Sequence, residues 1–134
     1  MARLCDDAPT AKYMTAGTPA ATGVPLTLAC WARPETATVT QILVFFGNSG
    51  SQGHYIFLET TSQPQAKSTD GGGTGTATAA ANFSINTWQH FAGVFASATD
   101  RRMFLDGTNK GTNATSISPS AADRLGIGVR NGGT

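Results

Sequence analysis

At 134 residues the chain is sized for a single domain, able to bury roughly two-thirds of the surface its unfolded form exposes. Only 13% of its residues are charged, against ~25% in ordinary soluble domains, so solvation must come from Thr, Ser, Asn, Gln and backbone, which suits a turn-rich β protein. The net charge of +1, with scattered basic residues and Arg101-Arg102 their only adjacent pair, argues against a nucleic-acid partner; the longest apolar run, 42–46, is far short of the ~20 residues of a membrane helix.

The chain opens on Met1-Ala2-Arg3-Leu4-Cys5 with no apolar signal segment, directly on an expected first strand. Either a leader has been removed or the protein is made in a cytoplasm, and the second is expected. Cys5 and Cys30 are then free thiols of a reducing compartment, with a structural disulfide as the alternative. The same reasoning discounts the sequons at Asn82 and Asn113.

Residues 26–32 form a strand stopped by Pro34, with Thr27, Ala29 and Trp31 on one face and Leu28, Cys30 and Ala32 on the other. Trp31 is expected in the core. The run 39–46 is the most apolar strand, Ile42, Val44 and Phe46 opposing Leu43 and Phe45, and belongs at the centre of a sheet, because an exposed edge of this composition invites aggregation. After a turn over 47–53, the strand 54–60 sets Tyr55, Phe57 and Glu59 against His54, Ile56 and Leu58, with His54 expected to be exposed at its start. A weaker strand covers 65–68. The run Asp-Gly-Gly-Gly-Thr-Gly-Thr at 70–76 lacks the Gly-Lys-Ser/Thr and the helix of a phosphate cradle and reads as a flexible loop, followed by a polar strand over 76–83.

The chain is organised around 88–111. Trp88, His90, Ala92 and Val94 alternate with Gln89, Phe91, Gly93 and Phe95. Both faces are mostly apolar, so the strand is expected to be covered on both sides, with Trp88 and Phe95 as core residues on opposite faces and His90 as a hydrogen-bonded core histidine. Asp106-Gly107, between apolar-alternating residues, marks a tight hairpin turn with positive φ at Gly107. A last strand spans 123–129. No stretch has sustained helical periodicity, and nine to ten strands with at most one turn of helix are expected.

Little catalytic equipment is visible. Glycoside hydrolysis needs two carboxyl groups flanking the scissile bond, and Glu35 and Glu59 are far apart and unaccompanied. His54 and His90 have no evident Ser or Cys partner, and two His with two Cys offer no metal-ligand spacing.

The order Asn86-Thr87-Trp88-Gln89-His90-Phe91-Ala92-Gly93-Val94-Phe95, followed by Phe104-Leu105-Asp106-Gly107, resembles the laminin-G-like branch of the concanavalin A-like jelly rolls. Upstream, Pro25-Leu26-Thr27-Leu28-Ala29-Cys30-Trp31-Ala32-Arg33-Pro34 is similar to that family's Trp-bearing strand. The resemblance implies an all-β, two-layer antiparallel jelly-roll sandwich over 1–134, and the Glu-x-Asp-x-x-Glu strand of the glucanase branch is missing. Relatives hold calcium on rim loops, for which Asp70, Asp100, Asp106, Asn109 and Asn131 are the candidates here, although loop Asp and Asn are mostly turn formers and no cofactor is expected. The resemblance also implies a non-enzymatic structural or adhesive module of a virion, as in laminin-G-like domains on phage capsids or tails, assembled in the host cytoplasm with itself or other virion proteins. The alternative is an extracellular carbohydrate-binding lectin, calcium-dependent, stacking sugars on Tyr13, Tyr55 or Trp31. Finally, the family's closing Phe-x-Gly-x-Ile-Asp-Glu strand does not follow 124–128, so either the sequence is a fragment of a longer protein or a neighbouring subunit supplies the edge, with a contact between subunits expected near residues 2–5 and 129–134.

Overall fold

A computed structural model describes residues 14–50 and 52–128, the side chain of Asn109 excepted. The expectations for Leu4, Cys5, Tyr13, Asn131 and the contact at 2–5 and 129–134 lie outside the described residues. In chain order the strands are β1 (Met14–Ala16), β2 (Leu26–Ala32), β3 (Gln41–Gly47), β4 (Gly53–Leu58), β5 (Pro64–Thr69), β6 (Thr74–Thr78), β7 (Gln89–Ser97), β8 (Asp100–Leu105), β9 (Thr108–Asn113) and β10 (Arg124–Ile127). They form a six-stranded sheet in the order β1-β10-β3-β4-β5-β6 and a four-stranded sheet in the order β2-β7-β8-β9. Every pairing is antiparallel. This is the all-β, two-layer sandwich that the family resemblance implies, without a helix among the described residues.

The core lies between the sheets. Val44, Phe46, Ile56, Leu58 and Ala66 from the six-stranded sheet meet Leu28, Phe91, Phe95, Met103 and Leu105 from the other. The apolar strand β3 sits centrally, between β10 and β4, as its composition requires. Its alternation is broken by a register shift between Ile42 and Val44. Leu43 therefore packs against the core that holds Val44 and Phe46, instead of sharing the face of Phe45 as strict alternation would have it.

Five expectations need correction, and all concern which way a side chain faces. Strand β7 is not covered on both sides: Gln89, Phe91, Gly93 and Phe95 are buried, while His90, Ala92 and Val94 are only half-buried on the outer face of the four-stranded sheet. Trp88 is 53% exposed and Trp31 65% exposed, so neither is a core residue. A four-stranded antiparallel sheet needs only one face against its partner, and the outer one meets solvent. His90 is accordingly a surface residue. His54, by contrast, is buried, because it points inward from β4 against Phe95, the two rings 4.8 Å apart.

The Gly-rich run at 70–73 is also tighter than a flexible loop. It closes the β5–β6 hairpin, with Asp70 Oδ1 accepting from the Gly72 and Gly73 amides at 3.0 and 2.9 Å. These bonds, led by that from Gly72, hold the Asp70 carboxyl below the usual aspartate range.

The Asp106-Gly107 turn joins β8 to β9 with φ of 52° and 71°, the left-handed pair of a tight hairpin turn. Nothing lies within 4 Å of a Cβ built on Gly107, so a substitution there acts through backbone conformation alone. Gly107→Val is expected to lower stability by about 1–2 kcal/mol, the left-handed penalty for a bulky residue, and Gly107→Asn to recover most of it. Urea titration of both variants checks this; equal losses would show that the left-handed turn is not what the glycine supplies.

Candidate functional site

Strands β2 and β7 pair so that Trp31 lies opposite His90, Ala29 opposite Ala92 and Thr27 opposite Val94, and Ala92 in turn lies opposite Phe104 of β8. Alternation puts these side chains on the outward face. The indole of Trp31 leans on the His90 ring, centroids 5.4 Å apart and planes tilted by 51°. Trp88 immediately precedes β7, two residues before His90, so continued alternation carries its side chain toward the same face. Together with Ile85, itself half-exposed, the two tryptophans form the largest exposed apolar side chains at this end of the sheet.

The segment bearing Ile85 and Trp88 is held from several directions. Asn86, at φ 59°, donates its amide to Pro34 O at 2.7 Å, and Arg33 Nε donates to Asn86 O at 3.1 Å. The Ser84 amide donates to Gln89 Oε1 at 2.7 Å, and Gln89 Nε2 donates to Asp106 Oδ2 at 2.9 Å. Asp106 Oδ1 accepts from the His90 amide at 2.8 Å, while the Asp106 amide donates to His90 O at 2.8 Å. The hairpin turn is thereby clamped to the start of β7. The tryptophans sit on a braced surface rimmed by Arg33 and Glu35, an exposed ion pair at 3.7 Å.

The residues singled out in the sequence do not converge. Glu35 pairs with Arg33, and Glu59 with Lys67 at 3.7 Å, each with its own basic partner. Tyr55 is buried beside Phe45, centroids 6.2 Å apart, so it is unavailable for stacking. Cys30 is a free thiol pushed up to about 11 by burial, too weakly acidic to act as a nucleophile. Among the calcium candidates, Asp70 and Asp106 have both oxygens engaged by N–H donors, and Asp100 is paired with Arg102, whose hydrogen bond holds its carboxyl low. Oxygens already facing N–H donors do not fit a calcium ion, and no group of three or more His, Cys, Asp or Glu positioned for a metal exists among the described residues. The exposure of Trp88 went unread in the sequence; its one local signal is the turn-forming Asn86-Thr87 immediately before it, which places it at the strand's edge.

A family model described as the concanavalin A-like lectin/glucanases superfamily, of laminin G type, matches residues 8–134. Among solved structures, the chain resembles domains LG4-5 of the mouse laminin α1 chain, with 15% identity and a TM-score of 0.61 over 89% of this chain and 33% of that one. It also resembles a native heptameric SAP-like pentraxin from Limulus polyphemus, with 12% identity and a TM-score of 0.71 over 96% of this chain and 62% of that one. The chain therefore spans less than two-thirds of either protein, and at these identities the likeness is one of fold. A search of curated protein sequences finds no match. With its two antiparallel sheets, its Trp-bearing β2 and the Asp106-Gly107 hairpin, the chain belongs to the laminin-G-like concanavalin A-like lectin/glucanases superfamily.

Proposed function

We propose that this domain is a non-enzymatic adhesive module that binds carbohydrate on the platform of Trp31, Trp88 and His90. The observation that carries this reading is the exposure of two tryptophans, 65% and 53%, on one braced face. A pyranose ring has a face of C–H bonds that stacks on an electron-rich indole, and its rim hydroxyls require hydrogen-bonding groups at the platform's edge. Arg33, Glu35 and Asn86 stand at that edge. Stacking on such a platform needs no metal ion.

The test is a glycan array followed by calorimetry on the glycans it identifies. Trp31→Ala and Trp88→Ala are each expected to lower affinity at least about tenfold, or ~1.4 kcal/mol, with EDTA leaving binding unchanged. An array without binders, or full affinity in the double variant, overturns the reading.

A second reading, a structural subunit of a repeating particle such as a virion, draws on a different place. Met14 of β1 and Ile127 of β10 are paired across the ladder and both exposed. Exposed apolar residues at the end of a sheet suit contact with another subunit. Sedimentation of the isolated chain and stoichiometry in particles test it.

A further inference from the structure

The tryptophans sit where β2 ends and β7 begins. At the opposite end, where β2 begins and β7 ends, lies a partly enclosed cavity of about 180 Å³ walled by Val24, Phe46, His54, Ala98, Ile117 and Ala122. Its loops are tied down: the amide of Ile117 donates to Ala98 O at 3.0 Å, that of Ala122 to Thr22 O at 2.9 Å and that of Asp123 to Gly47 O at 3.0 Å. The Ser120 amide donates to Gln52 Oε1 at 2.9 Å and that of Ser118 to Asp70 Oδ2 at 3.4 Å. The cavity is thus preformed. An apolar space of ~150 Å³ accommodates a six-carbon ring, which sets the size of an occupant.

This cavity is not purely apolar. His54 Nδ1 lies 2.9 Å from Ser68 Oγ, and the same oxygen accepts from Arg101 Nε at 3.2 Å. Arg101 is 1% exposed and makes its remaining hydrogen bonds to Asn113 Oδ1 and to Ala98 O, the latter at 2.8 Å. No carboxylate among the described residues is within ion-pair distance of it. Space for the guanidinium comes from Gly75, where a Cβ would fall 1.9 Å from Arg101 Nη1.

The chain of donors assigns the protons. Ser68 is buried, and of its two partners Arg101 can only donate, so the hydroxyl proton has one acceptor within reach, His54 Nδ1. The neutral imidazole then carries its proton on Nε2, the ring nitrogen that the bond to Ser68 leaves available on a side chain lining the cavity. Burial, with Arg101 adding to it, pulls the His54 pKa down to about 4, which keeps the ring neutral at physiological pH.

We infer that this cavity binds a short-chain carboxylate, its oxygen accepting from His54 Nε2–H and its alkyl tail lying against Val24, Phe46 and Ile117. The buried Arg101 charge, which no carboxylate among the described residues compensates, favours an anion over a neutral acceptor in this low-dielectric setting. The site is independent of the tryptophan platform, and neither reading depends on the other.

Butyrate and its neutral isostere butyramide distinguish charge recognition from cavity filling. In titrations of the full chain followed by the 15N resonances of the His54 ring, butyrate is expected to saturate in the millimolar range, at least about tenfold tighter than butyramide. Ala122→Leu, which fills the cavity without touching the polar chain, is expected to abolish butyrate binding; Ala122→Val is the milder variant if leucine prevents folding. Equal affinity for the two ligands overturns the carboxylate assignment. No saturation with butyrate, or binding unchanged in the Ala122 variants, overturns the site.

Discussion

Phe95→Ala is expected to lower unfolding free energy by about 3–5 kcal/mol, whereas Trp88→Ala, seven residues earlier on the same strand approach, is expected to lower it by less than ~1 kcal/mol. Phe95 is fully buried, paired across the ladder with Leu26 on one side and Arg101 on the other, and its ring packs on His54. Truncation there removes transfer energy and leaves a cavity in a core that other side chains cannot refill without moving both sheets. Trp88 is more than half exposed and returns little surface to water when shortened. Denaturant titration of the two variants measures the contrast. Comparable losses at both positions would mean that Trp88 is packed inward and that the outer face described for β7 is wrong.

Acid lability is expected from His54. Its pKa is lowered from 6.5 to about 4, chiefly by burial and then by the Arg101 charge. The unfolded chain therefore binds a proton at this residue in a range of pH where the folded chain does not, so stability rises with pH there and is lost as pH falls. The loss begins near pH 6.5 and is complete near pH 4, and it amounts to roughly 3 kcal/mol at 1.36 kcal/mol per pH decade. The lowered carboxyls of Asp70 and Asp100 act in a separate window: stability that they contribute is present above their ordinary value of 3.8 and is lost as pH falls below it. Urea titrations at a series of pH values should show the first decline in the native protein and a flattened profile over the same range in His54→Gln. A native profile without slope between pH 6.5 and 4 would place His54 in contact with solvent.

Short of β1 at Met14–Ala16 and the end of β6 at Thr78, which it did not mark, the sequence by itself determined the all-β character, most of the strands and the tight turn. These rest on interactions within a few residues: alternation along 26–32 and 89–95, and a left-handed Asp106-Gly107 pair that only certain residues adopt. It also located β3 inside a sheet, since no other place tolerates Leu43 to Phe46. Which face of β7 turns inward was decided only by the tertiary structure. Both faces are apolar enough to be buried, and the face that won carries Gln89 while the face left outside carries Trp88 and His90. Burying an amide is inexpensive here because Asp106, on the far side of the β7–β8 hairpin, and the nearby Ser84 amide meet both of its ends. Likewise nothing next to Arg101 in the sequence distinguishes it from Arg102, yet one is buried and the other is held at the surface by Asp100. Its place in the core depends on Ser68, Asn113, Ala98 and the space above Gly75, which come together only when β5, β6, β8 and β9 pack across the two sheets. Local rules specify strands and turns because their partners are neighbours; the facing of a strand and the satisfaction of a buried charge depend on groups that folding alone brings into reach.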